Sequence, residues 1–506
     1  MLKGTVQRTS VDGMTNGLAA SLTAAGRGLC SRLFAPIDIG SLVYFRVAFG
    51  AIMLWEVWRY LSYGWVEQFY IVPKFHFTYY GFDWVKPWPG DGMVWHFYAL
   101  GALAVCIIVG FWYRLSATLF FLGFTYVFLL DKTNYLNHLH LVGLVSFLMI
   151  FVPAHRAFSI DSISGARSET APAWALWLLR AQIGIPYFYG GVAKIHGDWL
   201  RGDTMRIVLG IRTDFPLIGS LFTYDWIILL FTYGGLLLDL LVVPLLLWRR
   251  TRPFAFAMAV AFHLMNARLF SIGIFPWFMI AGTLLFFPPD WPRRLLALLQ
   301  QPKSSKQQVK AAKGVRNPQG AKAAKEVKAA KDAPLQVWQK VTVALVGTYL
   351  ALQLTVPLRH FFYPGDVHWT GEGDRFSWRM MLLTKRGEVR FFATDPVSNR
   401  TWEVHARDYL TRQQQLKMAR QPDMILQFSH FLANELRRQG YDRIEVRADA
   451  SLSLNRRRPQ PLIDPSVNLA GQSRIVVGAS WIMPLKEEPI PAAGARENTI
   501  SPEEEP

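Results

Sequence analysis

Apolar residues in this chain are gathered into long runs, and polar residues dominate the part that follows them. Nine runs lie at about 38–62, 91–113, 115–132, 134–153, 172–196, 223–248, 252–268, 270–288 and 336–358. A helix needs about 20 apolar residues to cross the hydrocarbon of a bilayer. The pattern therefore predicts an α-helical polytopic membrane protein with about nine spans. Several runs are short, which predicts tilted, broken or re-entrant segments.

The polar region at 359–483 predicts an extracytoplasmic β-rich α+β domain. Partial alternation predicts strands at 388–394 and 443–454, and 474–484 is a further strand candidate. The stretch 410–439 predicts one helix, which Gly440 ends.

The remaining segments complete a predicted division of the chain. Residues 1–37 are small and polar and predict a cytoplasmic leader, and 38–298 are predicted to form a transmembrane domain, which the resemblance described below implies to be catalytic. A basic Lys/Ala-rich linker at 299–335 leads into the last transmembrane helix at 336–358. The tail at 484–506 is rich in Pro, Ala and Glu, a composition typical of disorder.

The net charge of +18 has two readings, nucleic-acid binding or membrane topology. Basic residues concentrate in alternate loops between the runs, for example Arg114, Arg156, 249–252 and the linker. This distribution matches the positive-inside rule, so membrane topology explains the positive charge better than nucleic-acid binding does. The N-terminus is then cytoplasmic, and an odd number of spans puts 359–483 in the periplasm, the exterior or, in a eukaryote, the lumen.

Ionisable and amide side chains fall near the outer ends of several spans. With the alternating topology, Lys194, Asn137, His138, His263 and Asn266 lie at similar depth. Buried ionisable groups in membranes are costly, so they are candidates for a functional site. The alternatives are a snorkelling lysine and packing histidines. A shared polar pocket under the membrane surface would suit an amphipathic cofactor whose tail stays in lipid.

Three other charged residues within the runs are interpreted differently. Arg180 lies 14 residues before Lys194, or about 21 Å along a helix, so it cannot be its partner and is expected near the inner surface. Asp239 and Arg46 are expected to be paired with other groups in structural roles. With only Cys30 and Cys106 present, a disulfide framework and a Cys-based metal site are not expected.

Three stretches carry a resemblance to a known family. They are 128–133 followed by Asn137 and His138, 187–199 around Tyr187, Tyr189 and Lys194, and 262–276 with His263 and Asn266. Weaker similarity continues at 376–381 and 464–465. The chain resembles the vitamin K-dependent gamma-carboxylase family, part of the wider HTTM group, over about 38–480. The Lys/Ala linker and the missing disulfide are typical of a bacterial homologue.

The resemblance implies a carbon-carbon lyase type of carboxylase. Such enzymes oxidise vitamin K hydroquinone (phylloquinone or menaquinone type) with O₂ to the epoxide and use the strong base formed to carboxylate protein glutamate with CO₂, without a metal. Lys194 matches the catalytic lysine, which must be neutral to deprotonate the hydroquinone. Asn137 and His138 match the pair that orients the quinol oxygen or tunes the lysine. The residues implied at the cofactor are His263, Asn266, Tyr187, Tyr189, Trp378 and Met381.

The chain departs from the animal enzymes at three positions. It has Ala193 where they have a first of two lysines, Leu136 where they have a second Asn, and a more polar 371–376 before Ser377. Three hypotheses follow: a carboxylase acting on a glutamate-containing exported protein, a membrane quinol epoxidase without protein carboxylation, or a non-catalytic HTTM membrane protein. Membrane lipid and quinone are expected partners and nucleic acid is not, and the native quinone and protein substrate stay open.

Overall fold

The described part of the protein, in a computed structural model, is residues 28–486 without 29, 166, 271, 301–334, 381, 456 and 475–477. The predicted leader, the basic linker and the disordered tail fall almost entirely outside the described residues. Met381, predicted at the cofactor, also falls outside them.

Helices dominate the chain from residue 40 to residue 300, with one small strand pair. The pair joins β1 (Pro36–Asp38) antiparallel to β2 (Thr170–Pro172). The helices are α1 (Gly40–Ser62), α2 (Gly92–Val109), α3 (Tyr113–Leu130), α4 (Asn137–Phe151), α5 (Ala173–Ala193), α6 (Asp203–Gly210), α7 (Asp225–Leu247), α8 (Arg252–Phe270), α9 (Phe275–Thr283) and α10 (Trp291–Gln300). Short turns of helix between them are Glu67–Ile71, Lys132–Asn134, Asp161–Ser164, Gly197–Leu200, Gly219–Thr223 and Leu284–Phe286.

The described helices fit a membrane protein, but they support nine spans only in part. By length and composition, six could cross a membrane: Gly40–Ser62, Gly92–Val109, Tyr113–Leu130, Asp225–Leu247, Arg252–Phe270 and Val337–Phe362. Asn137–Phe151 and Phe275–Phe286 are apolar but shorter. Helix α5 has 21 residues and is less apolar, because Arg180 and Gln182 interrupt it. The sequence pattern therefore located the helices, and its count of nine spans stays a prediction.

Close helix contacts in this bundle depend on small residues. A Cβ at Gly50 of α1 would lie 2.6 Å from Ile108 Cγ1 and 2.9 Å from the Ala104 oxygen of α2. Lipid tails are as apolar as leucine, so helices in a membrane associate through such close packing. Buried phenylalanines fill the centre, where Phe49 contacts Phe120 and Phe278 edge to face.

Helix α11 (Val337–Thr355), continued by the turn Val356–Phe362, lies at the edge of the bundle. None of the residues of α11 is buried. Two hydrogen bonds join it to α5: the Tyr349 hydroxyl donates to Gln182 Oε1 at 2.6 Å, and the Tyr189 hydroxyl donates to the Leu354 oxygen at 2.5 Å.

The C-terminal region is a four-stranded antiparallel sheet with helices packed on it. The strands β3 (Lys385–Asp395), β4 (Arg400–Val404), β5 (Glu445–Leu454) and β6 (Gln460–Pro461) follow the order β4-β3-β5-β6. The helices are α12 (Arg412–Met418) and α13 (Pro422–Arg438), and shorter turns are Val367–Thr370, Ala406–Asp408 and Leu469–Gly471. β5 alternates between buried and half-buried residues, as a strand with one core face does.

Two predictions for this region were wrong in detail. The single helix at 410–439 is two helices, broken before Pro422, because proline disfavours helical backbone at the preceding residue. The strand at 474–484 is absent from its described residues, where Ile482 forms only an isolated bridge with Ile463. The strands predicted at 388–394 and 443–454 are confirmed as parts of β3 and β5.

Polar contacts join the C-terminal region to the outer ends of the bundle helices. Gln414 Nε2 donates to Asp131 Oδ2 at 2.9 Å, beside an ion pair of Lys132 with Asp423. On another side, Arg457 donates to both oxygens of Asp198, at 2.6 and 2.9 Å. These contacts fix the C-terminal region directly over the end of α5.

Candidate active site

Helix α5 delivers Lys194 to the site. Its last residues include Gly190 and Gly191, and a Cβ at Gly191 would lie 2.7 Å from Leu240 Cδ2 of α7. The missing side chain therefore lets α5 and α7 approach closely. Lys194 forms the C-cap, with its amide bonded to the Gly191 oxygen at 3.0 Å. Its side chain turns back towards the bundle, where Nζ donates to the Gly190 oxygen at 3.2 Å.

A carboxylate from α7 meets this lysine inside the protein. Lys194 Nζ lies 2.5 Å from Asp239 Oδ2, and each side chain is only 8% exposed. The ring of Trp199 lies 5.2 Å from the same amine. A buried charge is stable only with a partner, so the lysine does not reach for the membrane surface as a snorkelling residue would.

An apolar cavity of about 430 Å³ opens beside this pair. Aromatic and aliphatic side chains from α5, α7, α8 and α9 make most of its surface. Its polar lining residues are Tyr187, Lys194, Asp239, His263 and Asn266. Ligand sites for apolar molecules have this character, with a few polar groups that set orientation. Three residues predicted to share a pocket, Lys194, His263 and Asn266, therefore do line one cavity.

His263 presents an unsatisfied nitrogen within this cavity. The residue is 1% exposed, and its Nε2 shares a 2.6 Å hydrogen bond with the Tyr187 hydroxyl. Its Nδ1 is buried without a hydrogen-bond partner. Buried polar atoms are normally paired, so this nitrogen of a residue that lines the cavity has unused hydrogen-bonding capacity.

Asn137 and His138 lie next to the cavity and do not line it. The His138 ring contacts Phe275 at 5.8 Å, and Phe275 also contacts His263 at 5.9 Å. One aromatic ring thus separates the two histidines. Asn137 Nδ2 donates to the Arg379 oxygen at 3.1 Å, and its Oδ1 accepts from the Tyr135 hydroxyl at 3.0 Å.

The remaining predicted cofactor residues occupy different positions. Tyr187 lines the cavity, whereas Tyr189 bonds to α11 through the Leu354 oxygen. Trp378 is 1% exposed and packs on His140, with ring centroids 5.0 Å apart. Met380, which was not predicted, lines the cavity in this segment, and its Cε would lie 3.3 Å from a Cβ at Gly190.

The segment 376–380 carries backbone strain beside the site. Phe376 and Trp378 have φ of +63° and +56°, a region that bulky residues rarely adopt. Such strain persists only where the surroundings enforce it, and it concentrates at functional sites. Here the Tyr135 hydroxyl accepts from the Phe376 amide at 2.6 Å, and Trp378 is fully packed.

Asp239 is the main residue of the site for which the sequence predicted a different, structural role. Its expected partners were other groups, but it pairs with Lys194. The available signal was its place as the one acidic residue within an otherwise apolar stretch, 226–248. Arg180 and Arg46 do bond elsewhere: Arg180 to the oxygens of Leu285 and Phe287, and Arg46 to those of Ala154, Ala157 and Phe158.

A second polar cluster lies just beyond Lys194, under the C-terminal region. The rings of His196 and His368 are 4.3 Å apart, and His368 Nδ1 lies 2.9 Å from Asp366 Oδ1. Burial, aided by repulsion from His368, lowers the pKa of His196 to about 4. His196 is therefore neutral at pH 7, and its Nε2 is buried without a hydrogen-bond partner.

Comparison with known proteins matches both halves of the chain. The HTTM domain family matches residues 34–291, just over half of the sequence. The lumenal domain of vitamin K-dependent gamma-carboxylase matches residues 338–488. No solved structure matches the chain. The first match contains Lys194 and, apart from Met380, the residues that line its cavity, and the second contains the sheet region above it. This multi-pass membrane protein therefore belongs to the vitamin K-dependent gamma-carboxylase family.

Proposed function

We propose that this protein is a vitamin K-dependent gamma-glutamyl carboxylase. The overall reaction joins CO₂ to the γ-carbon of a protein glutamate and releases the proton of that carbon. Vitamin K hydroquinone and O₂ are converted in the same turnover to the epoxide and water. The observation that carries the proposal is the buried Lys194–Asp239 pair on the surface of an apolar cavity.

The cavity has the size and lining that a quinol needs. Its volume of about 430 Å³ falls within the range of small-molecule sites, and its apolar residues suit a ring and an isoprenoid tail. The free Nδ1 of His263 supplies a hydrogen-bonding position for a quinol oxygen. Asn266 supplies a second polar group in the same lining.

Lys194 is assigned the role of general base towards the hydroquinone. When bound, the hydroquinone supplies the reducing electrons and, with O₂, the strong base that removes a glutamate γ-proton. An amine accepts a proton only when it is neutral. Asp239 lies close enough to take the ammonium proton, which leaves a neutral amine in surroundings that disfavour separated charges. Asp239 is thus a positioning residue that acts through Lys194.

The residues around the pair are assigned supporting roles. The Tyr187 hydroxyl bonds to His263 Nε2, which leaves Nδ1 as the nitrogen that we assign to the quinol. Asn137 holds the Arg379 carbonyl, which precedes Met380 in the cavity wall. His138 supports Phe275 from the side away from the cavity. Water must be excluded from a strong base and a carbanion, and the apolar lining does so.

We also propose the topology and division that the apolar runs predict. The N-terminus is cytoplasmic, the C-terminal region lies outside the cytoplasm, and the shorter helices α4 and α9 and the less apolar α5 complete a nine-span bundle. The boundaries are a leader at 1–37, a catalytic domain at 38–298, a linker at 299–335, a last span at 336–358, an external domain at 359–483 and a tail at 484–506.

The proposal is tested with membranes containing the protein, reduced vitamin K, O₂, ¹⁴C-bicarbonate and a glutamate-rich peptide. Epoxide and peptide-bound ¹⁴C are followed together in wild type, Lys194→Ala and, as a control, Lys86→Ala at an exposed position. We expect both products in wild type and the control and neither in Lys194→Ala. Epoxide without carbon fixation would support a quinol epoxidase instead. Wild-type activity in Lys194→Ala would contradict the assignment of the base.

A further inference from the structure

A second cavity, of about 380 Å³, lies between the bundle and the C-terminal region and takes no part in the proposed chemistry. We call it the basic cleft. Its charged lining residues are Lys132, Arg359, Glu372, Arg375, Asp423 and Arg474. Four cations therefore face two carboxylates. Arg474 also pairs with Asp83 at 2.7 Å. Asp374 acts on Arg359 and Arg375 but pairs with a further cation, Arg379, at 3.7 Å, so one positive charge remains in excess.

The existing ion pairs leave part of the positive charge in the basic cleft without a carboxylate partner. Lys132 and Arg375 both bond to the same oxygen of Asp423, Oδ2. Burial alone would raise the pKa of Asp423, but Arg375 and Lys132 lower it well below 3.8, so this carboxylate stays ionised. Its other oxygen, Oδ1, is buried without a hydrogen-bond partner.

Arg359 is the cation of the cleft that has no carboxylate of its own. Among the described residues, none places a carboxylate within ion-pair distance of Arg359. Its guanidinium donates to the Arg375 carbonyl and lies 5.2 Å from the Phe376 ring. A half-buried guanidinium without a carboxylate is a ready partner for an incoming carboxylate, which it can bind through two parallel hydrogen bonds.

One short strained segment borders both cavities. Phe376 lines the basic cleft, and Met380 lines the quinol cavity. Phe376 and Met380 are four positions apart in the chain, so their Cα atoms are at most about 14 Å apart. The reacting glutamate must lie at the quinol cavity, because its γ-proton is removed there. A carboxylate in the basic cleft therefore belongs to a different residue.

We propose that the basic cleft binds a second, non-reacting acidic side chain of the substrate peptide. An extended chain advances about 3.3 Å per residue, so a peptide that spans the length from Phe376 to Met380 has its two acidic residues about four positions apart. The inference rests on the proposed function and adds a specificity rule to it: segments with clustered acidic residues are preferred. The external residues 370–376 and 422–427 form much of the cleft, which favours a peptide over a lipid headgroup.

The test measures peptide binding without quinol or turnover, so its result does not depend on whether carboxylation occurs. Fluorescently labelled peptides are titrated with the full chain in nanodiscs of phosphatidylcholine, and anisotropy gives Kd. One peptide has two glutamates four positions apart, one has the second replaced by glutamine, and one has both replaced. We expect the two-glutamate peptide to bind about tenfold tighter than the single-glutamate peptide, a difference of about 1.4 kcal/mol.

Variants assign the effect to the cleft. Arg359→Gln should remove the tenfold preference, and Arg359→Lys should keep part of it. Arg390→Gln removes an equal charge from an exposed pair with Asp449 on β3 and should keep the preference. Unchanged size-exclusion behaviour and helix content show that each variant is folded.

Three results would overturn the inference. The first is equal binding of the one- and two-glutamate peptides, and the second is an equal loss of the binding preference in Arg359→Gln and Arg390→Gln. The third is abolition of the preference when phosphatidylserine replaces one fifth of the lipid, which would show that the cleft binds a lipid headgroup. Failure of carboxylation with an intact binding preference would reject the proposed function and leave the cleft as an acidic-peptide site.

Discussion

The amine of Lys194 lies 2.5 Å from Asp239 Oδ2, although the two residues are 45 positions apart in the chain. The pair joins the end of α5 to the middle of α7 and forms part of the quinol cavity. Both groups are removed from water, so each is stable only because of the other. This relationship connects the stability of the bundle to its proposed chemistry.

The first prediction separates those two effects. Lys194→Met and Asp239→Leu each leave one buried partner uncompensated and should lower the free energy of unfolding by about 3–5 kcal/mol. The double variant replaces the pair with apolar side chains and should recover most of that loss while forming no epoxide. Thermal unfolding in detergent and the epoxide assay measure the two properties. Single variants as stable as wild type would contradict mutual stabilisation of the pair.

The second prediction concerns the hydroxyl that holds His263. Tyr187→Phe removes a buried hydrogen bond, so it should cost about 1 kcal/mol of stability and raise KM for the quinol about fivefold. Tyr349→Phe removes a bond of the same length, 2.6 Å, outside the cavity. This control should lose similar stability without any change in quinol KM. An equal change in KM for both variants would show that Tyr187 acts only on the fold.

The third prediction compares two adjacent glycines of α5. An added methyl at Gly191 would meet Leu240 Cδ2 and Cγ at 2.7 and 2.8 Å and its backbone nitrogen at 3.2 Å. At Gly190 the nearest atom is the flexible Met380 Cε, at 3.3 Å. Gly191→Ala should therefore separate α5 from α7, cost about 1–3 kcal/mol and weaken the Lys194–Asp239 contact. Gly190→Ala should lower the free energy of unfolding and the rate of epoxide formation less than Gly191→Ala does. The reverse order would contradict this account of the packing.

The fourth prediction concerns acid stability of the contact between the bundle and the C-terminal region. Burial alone would raise the pKa of Asp198, but hydrogen bonds from Arg457 and Asn455 lower it well below 3.8. A carboxylate with a lowered pKa stabilises the fold above its unfolded pKa and loses that effect as pH falls towards the folded pKa.

Hydrogen exchange across this contact should accordingly rise as pH falls below about 4, after correction for intrinsic exchange. Asp198→Asn should open the contact already at pH 7, at a cost of about 1.5–3 kcal/mol, and flatten the pH dependence. An unchanged pH profile in Asp198→Asn would show that other groups control the contact.

Local features of the sequence predicted much of this structure. Long apolar runs located the bundle helices, because burial in lipid requires a continuous apolar stretch. Alternation located β3 and β5. The shared depth of Lys194, His263 and Asn266 followed from topology alone, and the three line one cavity.

Other features depend on contacts between distant parts of the chain. The pairing of Asp239 with Lys194 follows from how α5 and α7 pack, which no local pattern specifies. Asn137 and His138 belong to a stretch that carries the family resemblance, but the sequence does not show what they contact. Asn137 bonds to the Arg379 carbonyl, and His138 packs on Phe275. The basic cleft likewise combines Lys132, Arg359 and Asp423, which come from separate segments.

The central claim, that Lys194 is the base rather than a binding residue, is tested most directly with Lys194→Arg. Arginine can pair with Asp239 as lysine does, but it cannot lose its proton in a protein and so cannot act as a neutral base. Quinone binding, followed by quenching of Trp199 fluorescence, and the rate of epoxide formation are measured on the same membranes, with Trp199→Phe marking the signal from that residue. The account predicts a Kd within about threefold of wild type and an epoxide rate lower by about 100-fold or more. Epoxide formation at the wild-type rate in Lys194→Arg would contradict it.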